Sequence, residues 1–312
     1  MAPQFRSEHF RIEQIGDGVW AAIHQPGGWA VGNAGIVDLG DATLVFDATI
    51  TPEAGADLRQ TAVALTGRAP DYVALSHYHN DHVRGAQSFP DAVLVSSEAT
   101  RSLIGTLGRD ELASDLAHGR AQLAQARAHA SSENAKQRAF GAAFVPYWEA
   151  LIATAPRVSV RLPDLTFGDR AAWHGSRRTA EITSLGAAHT PDDAILYLPD
   201  DGIVFCGDLL FVASHPYLAD GEPEGWLAAL ERMTALDARV FVPGHGPIGS
   251  KGSLAVLVEH IQGLLAEAER LRRERVAPDI IETAMPNDES VSWEFAFPFY
   301  RANLRFLVGR ER

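Results

Sequence analysis

Residues His77-Tyr78-His79-Asn80-Asp81-His82 set three imidazoles and a carboxylate within one short run, directly behind the strand-like stretch 71–76. In an extended segment, residues two apart face the same side, so His77 and His79 can converge on one ion. Asp81 and His82 then turn toward a neighbouring position as the chain leaves the strand. A helical pair would need i, i+4 spacing instead, so the run belongs to a strand end and the loop after it. The plain alternative is a polar loop with solvated imidazoles. Crowded imidazoles repel on protonation, however, and a bound metal explains why they stand together.

Composition narrows the donors. Cys206 is the one cysteine, which excludes an internal disulfide and a thiolate-rich metal site. Any ion must therefore sit on imidazole and carboxylate. A chain of 312 residues buries roughly three quarters of its unfolded surface, enough for one large domain or two small ones. The formal charge of −13 repels phosphate backbones, so no nucleic-acid partner is expected. No stretch approaches ~18 uninterrupted apolar residues, and the start MAPQFRSEHFRIEQIGDG lacks a basic segment followed by an apolar run. The expectation is a cytoplasmic protein, away from membranes, acting on a small molecule.

Along the chain, 19–23, 34–39 and 43–46 are rich in branched residues and punctuated by Gly16-Asp17 and Gly40-Asp41, which predicts an antiparallel meander. Stretch 52–65 has helical spacing, with Pro52 suited to a first turn. From Glu98 to about Ala155 the texture changes to Ala, Leu, Gln, Arg and Glu, a helical segment. Strand texture returns at 158–162, 181–185, 194–198, 202–206 and 239–242, before a long helix at about 254–275 and an aromatic segment at 293–306. Without strict βαβ alternation, this order implies an α/β fold of layered elements. The simplest organisation is one domain over 1–312, with a helical insertion at about 98–155 and a helical, aromatic C-terminal extension at about 254–312.

Three later residues share one setting, just beyond an apolar strand and beside Gly or Pro: His189, Asp208 in Gly207-Asp208, and His245 in Pro243-Gly244-His245-Gly246. Strand ends are where a rigid scaffold offers side chains to a shared site. Taken singly, such a His or Gly-Asp is more often an ordinary polar group or turn. Together with the first run they resemble the metallo-β-lactamase superfamily, αββα sandwich hydrolases with an H-x-H-x-D-H signature. The resemblance spans roughly residues 15–249 and includes the acidic strand end Phe46-Asp47.

The resemblance implies two divalent ions, one held by His77, His79 and His189, the other by Asp81, His82 and His245, with Asp208 bridging. Ions about 3.5–4 Å apart repel, so a shared carboxylate and a shared hydroxide make chemical sense. It also makes Asp81 and Asp208 the catalytic carboxylates, and Asp47 a supporting acid that fixes the histidine loop. Imidazole and carboxylate suit two Zn²⁺ per chain, with Fe²⁺ or Mn²⁺ as alternatives. The expected activity is hydrolysis by a metal-bound hydroxide of a carboxylic ester, thioester, lactone or amide. Cys206 reads as a buried strand residue with no base placed to activate it.

Members that destroy β-lactams usually carry Cys or Ser where this chain has Asp208, a residue that instead matches hydroxyacylglutathione thioesterases and acyl-homoserine lactonases. Those lactonases place a Tyr three residues later, whereas this chain has Phe211. The alternative activity on the same scaffold is a mononuclear iron oxidoreductase of the persulfide dioxygenase type. The insertion is expected to wall the metals, with Phe140, Phe144, Tyr147 and Trp148 lining an apolar pocket. The competing account has these aromatics packing the insertion or a homodimer contact. Phe211 and His215 are further candidates for touching substrate, and His9, His24, His118, His129, His174 and His260 lack companions at ligand spacing.

Overall fold

The computed structural model describes residues 6–286 and 289–310, so the outermost ends of the expected domain, 1–5 and 311–312, lie outside the described residues. Strands β1 (Phe10–Gly16), β2 (Val19–His24), β3 (Ala34–Asp38) and β4 (Thr43–Phe46) form the antiparallel meander, preceded by one strand more than the sequence suggests. β5 (Tyr72–Ala74), β6 (Val93–Ser97) and β7 (Leu165–Phe167) extend it in parallel. A second sheet holds β8 (Arg170–His174), β9 (Thr179–Gly186), β10 (Asp193–Leu198), β11 (Ile203–Phe205) and β12 (Val240–Val242), antiparallel except where β11 meets β12.

Alternate residues of these strands feed two different cores. Leu44 and Phe46 of β4 meet Leu196, Leu198 and Phe205 between the sheets, the rings of Phe46 and Phe205 lying 5.9 Å apart. Val45 points the other way, toward Leu58 and Ala62 of α1 (Pro52–Thr66). On the second sheet Ile195, Val204 and Cys206 face Trp226 and Leu230 of α6 (Pro223–Thr234) and Leu257 and Leu264 of α7 (Lys251–Arg273). Burial on both faces is why the strands read as nearly continuous apolar runs. The result is a four-layer αββα arrangement.

Local chemistry sets the helix ends. Thr51 caps α1 by accepting from the Ala54 N–H at 3.1 Å, Pro52 occupies the first turn, and Gly67 closes it at φ +77°. After the short α2 (Asn80–Val83), the insertion folds as α3 (Glu98–Gly105), α4 (Leu107–Ala130) and α5 (Ala135–Thr154). α4 and α5 pack as a hairpin so closely that a Cβ at Gly141 would lie 2.2 Å from the Ala130 nitrogen. Beyond α7, α8 (Pro278–Ile281) leads to α9 (Ala296–Gly309). Among the described residues no helix is long and apolar enough to cross a membrane.

The strand expected at 158–162 does not form. The Asp164 carboxylate accepts from the Leu94 N–H at 2.9 Å, and Arg161 donates to the Phe89 and Ala92 carbonyls, so side chains occupy the groups that a ladder would use. Pairing starts only at Leu165.

Candidate metal centre

β4 and β5 run parallel, as do β11 and β12, and their C-terminal ends deliver Asp47, His77, Asp208 and His245. The turn between β9 and β10 brings His189. Two groups of donor atoms gather there, each within 4.8 Å: His77, His79, His189 and Asp208, and Asp81, His82 and His245. All seven residues singled out in the sequence thus meet. Asp208 reaches both groups, Oδ2 lying 3.3 Å from His189 Nε2, 3.3 Å from His245 Nε2 and 4.0 Å from His77 Nε2. Its Oδ1 lies 3.0 Å from His82 Nε2 without the alignment of a hydrogen bond. Asp81 Oδ2 is 3.2 Å from His245 Nε2. Close packing keeps Asp208 in place, since a Cβ at Gly244 would come 1.8 Å from Oδ1.

An outer ring of hydrogen bonds orients the imidazoles. His189 Nδ1 lies 3.0 Å from the Tyr217 carbonyl, which can only accept, so Nδ1 carries the proton and Nε2 turns a lone pair inward. His79 Nε2 donates to Asp220 Oδ2 at 3.2 Å, leaving Nδ1 as its inward atom. Asp47, buried, accepts from His82 Nδ1 at 2.8 Å and from both the N–H and the hydroxyl of Ser76 at 2.8 Å. Ser76 Oγ in turn lies 2.9 Å from His77 Nδ1. Asp47 stands at φ +60°, a left-handed backbone disfavoured for most side chains, so the fold holds it there against a local preference.

This arrangement fits a divalent ion. His189 Nε2 and His79 Nδ1 are 2.9 Å apart, and with both outer nitrogens donating, neutral rings would face lone pair to lone pair. A proton or a cation must lie between them. His77 Nε2, His82 Nε2 and Asp208 Oδ1 are buried without hydrogen-bond partners, a costly state that a metal removes.

The electrostatics divide the donors: some are poised as ligands, whereas at His82 and His245 burial is outweighed by the carboxylates of Asp208 and Asp81, which raise both rings, His245 to about 10, so these two must release a proton to an arriving ion. Burial pushes Asp208 upward, but His245 and His82 overcome it and hold the carboxyl well below the usual range. Asp81 sits at about 2, burial again opposed and outweighed by His82 and His245. Burial lowers His189 to about 3 and takes His77 well below its ordinary value, where an imidazole is a neutral ligand. The hydrogen bond from His79 lowers Asp220.

Beside the donors lies a cavity of about 270 Å³ with an aromatic wall, Phe144, Tyr147 and Trp148 from α5 and Phe211 from the loop after Asp208. Phe140 stacks on Phe144 at 4.6 Å but lines a neighbouring groove. The sequence reading missed Glu111 of α4, Tyr217, Asp220, and Phe295 and Phe299 of the C-terminal segment, which complete the wall. Phe295 and Phe299 pack on Phe144 at 5.6 and 6.4 Å. Burial pushes Glu111 up to about 7, with His79 and Arg84 pulling the other way.

His215 is placed elsewhere. It is fully buried, its Nε2 donates to the Ser290 carbonyl at 2.8 Å, and its ring meets His260 at 4.7 Å; it is not part of the cavity wall. Cys206 is a buried core residue whose thiol donates to the Val204 carbonyl at 3.7 Å.

The model of the metallo-beta-lactamase superfamily matches residues 27–245. A metallo-beta-lactamase from Pontibacter korlensis is 19% identical with a TM-score of 0.58, over 81% of this chain and 99% of its own. One from Erythrobacter litoralis, solved with beta mercaptoethanol in the active site, is 15% identical with a TM-score of 0.59, over 83% and 98%. A third, from Pseudomonas aeruginosa in a mono-zinc form, is 16% identical with a TM-score of 0.57, over 81% and 95%. No curated protein matches the sequence. At such identities the solved structures speak for the fold.

Proposed function

The chain belongs to the metallo-beta-lactamase superfamily, and from that premise we propose that it is a dinuclear zinc hydrolase acting on a carboxylic ester, thioester, lactone or amide. The observation that carries the reading is Asp208, whose two oxygens lie within 3.0 to 4.0 Å of ring nitrogens from both donor groups. A carboxylate so placed can serve two ions at once. His77, His79 and His189 would hold one, and Asp81, His82 and His245 the other.

Bound zinc supplies Lewis acidity, which brings the pKa of water toward ~7 and polarises a substrate oxygen. The protein's part is orientation. Asp47, Ser76, Asp220 and the Tyr217 carbonyl fix which nitrogen of His77, His79, His82 and His189 faces inward, so these four rings are already aimed at an arriving ion. The cavity sets aromatic surface beside the donors, which favours an acyl compound over a phosphodiester, as does the chain's charge of −13. Phe211 brings ring surface and no hydroxyl, so orientation of a substrate oxygen falls to other groups. A buried lone thiol at Cys206 suits a cytoplasmic setting.

Metal analysis and a substrate panel test the reading together. Two zinc per chain, turnover of esters, thioesters or lactones, and loss of both metal and turnover in Asp208→Ala are expected. One iron per chain with oxygen uptake would replace hydrolysis by an oxidoreductase. Metal without turnover on any member, or an Asp208→Ala variant that keeps both, would also overturn it.

A further inference from the structure

The aromatic cavity is not the sole space at the centre. Val31, Tyr147, His245 and Phe295 line both it and a second, larger groove of about 700 Å³. These shared residues stand between the two spaces, and one of them, His245, is a candidate ligand. The groove is walled by Phe140, Ala143 and Pro146 of α5, by Val212 and by Trp293.

Val31 marks the partition as a built feature. It is β-branched, yet its backbone sits at φ +62°, a conformation such residues strongly disfavour. Its N–H donates to His24 Nδ1 at 3.1 Å, which helps hold it there. Strain of this kind persists where the surroundings over-determine it, and it gathers at ligand clamps.

The linings also say what the spaces accept. The one arginine in either described lining, Arg11, is paired with Glu13 at 2.7 Å, and no lysine is present. Away from the donor groups, an acid group on a substrate arm would find no unpaired arginine or lysine in either described lining. Asp220 is engaged by His79, and Asn80 donates to the Tyr147 hydroxyl at 3.3 Å.

Resting on the hydrolase reading above, we propose that the substrate is an uncharged, two-armed acyl compound whose scissile carbonyl sits at the Val31–Tyr147–Phe295 partition. One apolar arm lies in the aromatic cavity and the other in the groove between α5 and the C-terminal segment.

Ketones, which cannot be hydrolysed, test this on the zinc-loaded protein. A straight-chain ketone with a mid-chain carbonyl is compared with its isomer carrying the carbonyl next to one end, so total apolar surface is equal. The mid-chain isomer should bind about tenfold more tightly, because only it fills both spaces. Ala143→Phe, at an exposed position facing the groove, should abolish that preference. Equal affinities, tighter binding of the end-carbonyl isomer, or a preference unchanged in Ala143→Phe would overturn the proposal. Ketone binding needs no turnover, so a retained preference without ester hydrolysis would sink the hydrolase reading and leave the two-armed site standing.

Discussion

Replacing Asp47 with Asn removes one charge and reverses the direction of two hydrogen bonds. The side chain keeps its size, and Asn tolerates φ +60° better than other non-glycine residues. In the native site one oxygen accepts from the Ser76 N–H, while the other accepts from both the Ser76 hydroxyl and His82 Nδ1. The amide keeps an oxygen for the Ser76 N–H but presents an NH₂ to two donors. The Ser76 hydroxyl can rotate away. His82 must instead move its proton to Nε2, the atom 3.0 Å from Asp208 and 3.8 Å from Asp81. A ring protonated there is no longer a ligand. Zinc affinity at the Asp81, His82 and His245 group should fall about 10- to 100-fold, with little change at the other group. Losing one charge-assisted hydrogen bond should destabilise the metal-free protein by about 1.5–3 kcal/mol. Zinc titration against a competing chelator resolves the two affinities, and urea unfolding of chelated protein gives the stability. Equal weakening of both groups, or no weakening of either, would refute the argument from proton position.

Two further outcomes follow from the insertion. Glu111 sits at about 7, above its ordinary 4.5, chiefly through burial. A carboxyl with a raised folded value contributes stability fully present below the unfolded value and lost as pH rises through the folded one. Chelated Glu111→Gln should therefore gain on the parent by about 1 kcal/mol between about pH 5 and pH 8, the full shift being discounted because the side chain is 36% exposed. Urea midpoints at both pH values decide it; a difference that ignores pH, or shrinks, would contradict the assignment. Asp115→Ala leaves Arg84, only 3% exposed, without the partner it holds at 2.6 Å. That should destabilise the fold by about 3–5 kcal/mol in chemical unfolding, whereas a loss under about 1 kcal/mol would mean that the pair does not fasten α4.

The sequence disclosed the donor set because its chemistry is local. His77, His79, Asp81 and His82 are neighbours in the chain, and Asp208 and His245 carry a strand-then-glycine context that is itself local. The supports are not local. Asp220 orients His79 from 141 residues away, and no spacing rule links them. Glu111 is one acid among several on a polar helix, distinguished only by the cavity it faces. Phe295 and Phe299 did leave a trace, the aromatic segment with an i, i+4 pair, but its destination depends on how the chain returns. His215 shows the reverse. Nearness to Asp208 in sequence suggested nearness in space, yet Ala213 at φ +53° and the bridge between Ser214 and Glu294 turn the chain toward the C-terminal segment. The failed strand at 158–162 had suitable residues, and the Asp164 carboxylate decided the matter by taking the Leu94 N–H.

The α4–α5 hairpin is anchored at the ligand run itself: Asn80, between two donors, holds Tyr147, and Arg84, just past His82, holds Asp115. Swinging the hairpin outward as a rigid flap would strip a buried guanidinium of its counter-charge, so only on the order of one molecule in a thousand would stand open at any instant. Access to the donor groups then runs through the aromatic cavity with the hairpin in place. Any substitution that re-tilts the hairpin to admit a bulkier guest will also tug on the imidazoles, so guest preference and metal affinity in this chain should drift together.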